Sequence, residues 1–284
     1  MNHQFYKSMN YKHKLLFIFL LFSEVIFCQK CFTIFDNVSK SKIAYANIWR
    51  DNKIFMNSDS LGSFCINESE IKSKFEISCF GYKSQYLNTE RDSIFLDIDE
   101  IIIEEVVIKK PLLKNKIKYG NYKIRNAGLV ATYEMQIAEL GKVFLTNDSI
   151  QRYFNKLKIA TFASNSNRIL GIKIYSLDDN KQPNIVITDK IIISNIKKGS
   201  HITSIDLSNL SLSVPKIGFF ISIQFLLLEQ NKQHGTYNKE WFYYEPSIGA
   251  NMNSKGNEYF YLSEKGSWKK NENCDLNIQV ELIN

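Results

Sequence analysis

The sequence predicts an all-β protein, a seven-stranded β-sandwich over residues 30–108 followed by a larger jelly-roll-like β-sandwich over residues 120–284. Three observations carry this expectation. Short runs rich in β-branched and aromatic residues recur at close spacing between turn signals. Clean alternation marks half-exposed antiparallel strands, as where Leu276, Ile278, Val280 and Leu282 alternate with Asp275, Asn277, Gln279 and Glu281. No apolar stripe of helical period competes in the first of the two regions.

Composition agrees with a packed globular chain. Of 284 residues 44% are hydrophobic and 23% charged, with only four prolines and 12 glycines, which excludes a disordered tail, a collagen-like repeat and a multi-span membrane protein. At about 150 residues per domain the length fits one large domain or two small ones. The formal charge is +7, from 36 basic and 29 acidic residues. Three of the bases and one acid lie in the first 29 residues, so the remainder carries 33 against 28, interspersed. That excess keeps a protein soluble and is no nucleic-acid footprint.

The first element, residues 1–29, reads as a secretory signal. Lys7, Lys12 and Lys14 precede the apolar run Leu15–Phe22, and the stretch ends by Phe27 after Ser23 and Glu24. It is short of the ~20 apolar residues of a bilayer span, and nothing later is apolar enough to cross a membrane. Cys28 raises acylation as an alternative to free secretion. Bulky Phe27, where a lipobox has a small residue, argues against it. Export permits disulfides. In the region beyond the signal Cys65 and Cys79 are the pair close in sequence, and both the bridged and the free readings stand. The spacings of Cys28, Cys31, Cys65, Cys79 and Cys274 match no zinc pattern.

Strands follow at Cys31–Phe35, Ile43–Trp49, Lys53–Met56, Ser63–Ile66, Lys74–Phe80, Ser93–Ile98 and Ile101–Ile108, separated by Asp36-Asn37, Asp51-Asn52, Ser58-Asp59-Ser60 before Gly62, and Gly81. Gly62 permits a tight return after Asp59, whose carboxylate can satisfy turn donors, and Gly81 suits a bend.

These motifs, namely Ile43–Ile48, Ser58-Asp59 with Gly62 and Phe64, Ile77–Tyr82, Ile94, Leu96 and Glu105–Ile108, resemble the carboxypeptidase regulatory-like domain in the family's own order. The resemblance covers residues 31–108. It implies a transthyretin-like sandwich, an N-terminal module widespread on Gram-negative envelope proteins that include TonB-dependent receptors. The module is not catalytic, so no peptidase is implied. The opening strand departs from the family, with Cys31-Phe32-Thr33-Ile34 where a glycine is usual.

Residues 109–119 are expected to form a basic linker, with five lysines and Pro111 between 109 and 118 and no acid. The other reading of those lysines is a patch meeting anionic lipid headgroups or lipopolysaccharide. Beyond them, strands are expected at Leu129–Ala138, Leu157–Ala163, Ile169–Leu177, Asn184–Ile193, His201–Leu207, Trp241–Tyr244, Tyr259–Leu262 and Leu276–Leu282. Ile217–Leu228, apolar on both faces, reads as a central strand, and Ser149–Phe154 as a short helix. The layout of Lys190–Ile193, Asp206-Leu207-Ser208, Gly218–Ile221 and a late Trp268 is similar to second β domains of such envelope proteins. The length leaves no room for a TonB plug and a long membrane barrel.

Catalytic constellations are not found in the sequence. His201 and His234, the histidines beyond the signal, sit in no His-Glu-x-x-His pattern. There is no Gly-x-Ser-x-Gly elbow, Walker loop or Gly-x-Gly-x-x-Gly. Ser200, His201 and Asp206 share one strand, with Ser200 and His201 on opposite faces. The acid pairs Asp97/Asp99 and Asp178/Asp179 read as solubilising or turn-forming rather than as a glycosidase pair, and Asp178-Asp179-Asn180 lacks calcium-loop spacing.

In Trp241-Phe242-Tyr243-Tyr244 one face must be core, while Trp241 and Tyr243, with Trp268 adjacent, make a candidate aromatic platform for sugar rings or a protein partner. The sequence therefore reads as an exported, non-enzymatic envelope protein without metal or cofactor. It would be an adaptor or binding module for an envelope protein or a surface glycan. The alternatives are an envelope hydrolase and a structural subunit of a surface assembly, the last favoured by a long unpaired edge strand.

Overall fold

The computed structural model describes residues 29–99, 115–122, 127–133, 137–146, 150–235, 241–252, 254, 259–272 and 274–284. The expected signal, the strand at Ile101–Ile108 and residues 109–114 of the linker lie outside the described residues, apart from Gln29.

Among the described residues the N-terminal part holds seven strands: β1 (Gln29–Asp36), β2 (Asn47–Arg50), β3 (Lys53–Asn57), β4 (Ser63–Asn67), β5 (Phe75–Ser78), β6 (Gln85–Tyr86) and β7 (Ser93–Leu96). One sheet runs β4-β1-β7, with β4 antiparallel and β7 parallel to β1. The order β3-β2-β5-β6 forms the other layer. Period-two alternation sends Phe32, Ile34, Phe64, Ile66, Ile94 and Leu96 inward onto Ile48, Phe75 and Ile77. Each such buried side chain contributes about 1.5–3 kcal/mol relative to exposure. The turns form as their residues dictate: Asp59 Oδ1 accepts from the backbone N–H groups of Leu61 and Ser63, and Gly62 adopts φ +72°.

Of the two readings left open for Cys65 and Cys79, neither holds for both residues: they do not bridge each other, and Cys65 is nonetheless bonded. Cys31 and Cys65 face one another in the β1–β4 register and are disulfide-bonded, whereas Cys79 is free. Cross-strand register brings Cys31 to Cys65 although they are 34 residues apart in the chain.

The C-terminal part contains β8 (Lys116–Gly120), β9 (Gly128–Tyr133), β10 (Glu139–Leu145), β11 (Tyr153–Ala163), β12 (Arg168–Leu177), β13 (Pro183–Val186), β14 (Ile192–Ile196) and β15 (Gly199–Asp206). After these come β16 (Gly218–Phe225), β17 (Lys232–His234), β18 (Phe242–Asn251), β19 (Tyr259–Glu264), β20 (Ser267–Asn271), β21 (Asp275–Leu276) and β22 (Ile278–Ile283). One sheet has the order β13-β12-β16-β10-β19, with β14 on β12 and β20 on β19; the other runs β17-β18-β11-β22-β8, with β15 on β11 and both β9 and β21 on β18. Leu157, Ile159, Ile172, Ile174, Phe219, Ile221, Ile223, Ile278 and Val280 fill the space between the two sheets.

As expected, β16 is central and buried along its whole length. Other expectations change. Residues 116–119 of the anticipated linker belong to strand β8, because Ile117 and Tyr119 pack on the core beside β22. Of the anticipated helix at Ser149–Phe154, residues 150–154 are described and form no helix: Tyr153 and Phe154 open β11 and are buried. The run Asn184–Ile193 splits into β13 and β14 around a bend at residues 188–190. Asp275 and Asn277, expected to face solvent, are buried.

The two parts are joined sheet to sheet. Lys53 of β3 pairs with Glu264 of β19, so one eleven-stranded sheet runs through both. Trp49 and Ile54 belong to the C-terminal core, and Lys265 pairs with Glu76. Among the described residues no helix is long and apolar enough to cross a membrane.

Candidate functional site

Where the two parts meet, a cleft of about 380 Å³ opens. Its N-terminal wall is Lys42–Tyr45 with Ser78–Phe80 and Tyr82; its floor is Asn47, Lys173 and Gln224; Asp189–Ile191 and Ile193 close the far side. Tyr45 sits at φ +58°, a left-handed conformation uncommon for a bulky residue, and this places backbone strain in the wall. Tyr82 is tied down by donating its hydroxyl to Asp36 Oδ2 at 2.9 Å. Burial, followed by that bond to a carboxylate, pushes the phenol up to about 12, so it stays protonated.

The floor is oriented by a chain of amides that begins at the backbone. Leu227 N–H donates to Asn57 Oδ1 at 2.8 Å, which fixes the Asn57 amide. Asn57 Nδ2 then donates to Asn47 Oδ1 at 2.7 Å, and Gln224 Nε2 donates to the same oxygen at 2.8 Å. Every amide orientation is thereby set, and Asn47 Nδ2 and Gln224 Oε1 are left to the cleft as an adjacent donor and acceptor. Gln224 is only 2% exposed, so its direction is imposed by packing.

Behind the floor lies a buried ion pair on the same sheet. Glu139 accepts from Lys173 Nζ at 2.6 Å, Ser222 Oγ at 2.7 Å and Tyr175 Oη at 2.9 Å. Burial alone would raise the Glu139 carboxyl. The charge and hydrogen bond of Lys173, with the two hydroxyls, overcome it and hold Glu139 below its ordinary value. Burial, then Glu139, drives the Tyr175 phenol well above its usual value. Lys173 is thus neutralised from behind, while Lys42 and Lys190 are exposed at the mouth.

Cys79 lines this cleft as a free thiol. Burial pushes its pKa up, only partly offset by Lys173, so it remains a thiol at neutral pH. No histidine is among the residues lining the cleft. The lining offers hydrogen bonds and ring faces, not an activated nucleophile.

The residues singled out from sequence fall elsewhere. Phe242 and Tyr244 pack on the core, while Trp241 is 40% exposed and its ring lies 5.5 Å from that of Tyr243. Tyr243 donates to Glu245 Oε1 at 3.3 Å; Glu245 is buried and also accepts from Arg168 Nε at 3.0 Å and from Ser164. Trp268 is not adjacent to this pair. It lies on β20 in the opposite sheet, edge-on to Phe220 at 5.0 Å and Tyr175 at 5.6 Å. Asp178 forms a turn, accepting from Gln182 N–H at 2.8 Å. His201 Nε2 bonds Lys198 O and Asp206 accepts from Ser208, so Ser200, His201 and Asp206 make no triad. Among the described residues no group of three or more His, Cys, Asp and Glu is placed to hold a metal.

Sequence reasoning passed over Glu139, Lys173, Asn47 and Gln224. A signal was there: Lys173 interrupts the apolar run Ile169–Leu177, and Glu139 stands between Ala138 and Leu140. Opposite lone charges in two buried strands ask for each other.

No family model and no curated protein matches the chain. Among solved structures it is similar to the cysteine protease and lectin-like domains of Cwp84, a surface layer associated protein of Clostridium difficile, at 12% identity and a TM-score of 0.38, over 81% of this chain and 45% of that one. It is also similar to a variant of the clostridial cysteine protease Cwp84 after propeptide cleavage, at 11% identity and a TM-score of 0.39, over 88% of this chain and 61% of that one. The chain therefore spans less than two thirds of either structure. Likeness at this level carries nothing about its function.

Proposed function

We propose that this protein is a non-enzymatic, exported binding module of the cell envelope that holds a surface glycan in the cleft between its two parts. The N-terminal part is read as a transthyretin-like adaptor of the carboxypeptidase regulatory-like kind, and the C-terminal part as a jelly-roll-like sandwich. The observation that carries the proposal is the amide pair of Asn47 and Gln224. Its orientation is fixed from the backbone of Leu227, and it presents a donor beside an acceptor in a concave site. That pattern matches neighbouring sugar hydroxyls, and the rings of Tyr45, Phe80 and Tyr82 supply surface for apolar sugar faces. The Cys31–Cys65 disulfide supports an oxidising compartment.

The test is titration calorimetry of the protein against oligosaccharides released from its own envelope. Ala44→Trp should fill the cleft and abolish binding without loss of fold, while Trp241→Ala leaves binding intact. Equal binding by the Ala44→Trp variant would remove the cleft from the proposal. Retention of a single envelope protein in crosslinking, with no saccharide bound, would replace the glycan with a protein partner.

A further inference from the structure

We infer that the outer edge of β15 is a self-association surface, at which a second copy of this chain adds its own β15 antiparallel and extends the sheet across a two-fold axis. Eight residues of β15 pair with β11 in unbroken register, from Lys156↔Asp206 to Ala163↔Gly199. Among the described residues no strand pairs with its other side, and it is the longest described strand with one neighbour.

Edges of that length are normally guarded by lysine, proline or a bulge. Other edges here carry such guards: Lys116 and Lys118 in β8, Lys269 and Lys270 in β20, Pro183 in β13. The β15 run Gly-Ser-His-Ile-Thr-Ser-Ile-Asp has no lysine, no proline and no register shift.

Charge selects the occupant and its direction. Lys197 and Lys198 precede the strand and Asp206 ends it, so the edge is basic at one end and acidic at the other. Two copies laid antiparallel about Ile202 set each Lys198 opposite the partner's Asp206. Parallel addition would set like against like. In this register Thr203 meets His201, Ser204 meets Ser200, and Ile202 meets its own copy on the axis. Each pair joins residues of the same parity, so Ile205 and Thr203 stay on the core-facing side in both copies. The contact is isologous and closes at two chains, because each copy's edge is then occupied by the other's.

Single cysteines read this register directly. Under mild oxidation Ile202→Cys should crosslink to itself, because that residue lies on the axis. Ser204→Cys should not, since the two copies would be offset by four residues, about 13 Å. Mixing Ser204→Cys with Ser200→Cys should restore crosslinking between the two variants. In sedimentation equilibrium Lys198→Glu should weaken the dimer about tenfold, and Lys198→Glu with Asp206→Lys should recover it. Both serines are exposed, so their variants test the contact without threatening the fold. A monomer at every concentration overturns the inference, as does equal self-crosslinking of the Ile202→Cys and Ser204→Cys variants. Failure of these tests leaves the glycan proposal untouched, because the floor of the cleft lies on the other sheet.

Discussion

Replacing Lys173 by Met should invert the acid response of one buried group. In the native protein Glu139 is 2% exposed and is held below its ordinary value, so its contribution to stability is present above the unfolded pKa near 4.5 and is lost as pH falls through the folded value. Lys173→Met keeps much of the side-chain length but removes the cation 2.6 Å away. Tyr175 and Ser222 still donate, yet the burial they must now offset alone is the largest influence on the group. The carboxyl then rises above 4.5, and its neutral form favours the fold. Leaving one partner of a buried pair uncompensated costs about 3–5 kcal/mol at neutral pH, roughly a 10 °C fall in Tm for a chain of this size.

The difference between native and variant stability should shrink as pH is lowered from about 7 toward about 5, because Glu139 takes up a proton in the variant and stops resisting burial. Urea unfolding across that range measures the difference, and groups common to both proteins cancel. Adding Glu139→Gln to Lys173→Met should recover most of the loss at neutral pH, since a neutral amide can share hydrogen bonds with the two hydroxyls. A loss under about 1 kcal/mol, or one that does not change with pH, would refute the reasoning.

Three other outcomes follow from the packing. Reducing Cys31–Cys65, which are 34 residues apart, should cost about 4 kcal/mol by loop-closure entropy, and an unchanged urea midpoint in reductant would contradict that. Asn57→Ala strips the acceptor from Leu227 N–H and should cost about 1–3 kcal/mol; faster hydrogen exchange at Leu227 is the local readout, and unaltered protection would count against the amide chain. Gly141→Ala should be far worse than Gly171→Ala. A Cβ at Gly141 would lie 2.0 Å from the backbone oxygen of Ile221, whereas one at Gly171 meets the movable tip of Ile191 at 2.3 Å. Thermal melts should show losses of about 3 kcal/mol or more for the first and under about 1 for the second, and the reverse order would sink the distinction.

Strand positions were legible wherever alternation or a long apolar run dominated. The place of β1 and the central position of β16 followed from side-chain pattern alone, and so did a core-facing side of the Trp241–Tyr244 run. What escaped depends on pairing between distant segments. The stretch 116–119 has a lysine-rich composition that reads as linker and joins a strand only because β22 offers a ladder. Cys31 meets Cys65 through register, and Asn47 meets Gln224 across 177 positions. Polar residues there look ordinary one at a time; the site exists only in their juxtaposition. Trp268 shows the converse, where residue type alone suggested a platform and the fold gave it Phe220 and Tyr175 to pack on.

The Cys31–Cys65 crosslink also governs how the molecule bears load. A pull on the chain at Gln29 soon reaches a covalent bond at Cys31 and passes into β4 before it can peel β1 from its neighbours. Strand β1 is the middle strand of its sheet, so holding it keeps β7 in place through the parallel ladder. From the N-terminal sandwich the other sheet continues through Lys53 and Glu264 into the C-terminal one. Tension applied at the N-terminal end therefore meets the covalent link between β1 and β4 first, and the sheet path onward into the C-terminal part runs through the Lys53–Glu264 pair.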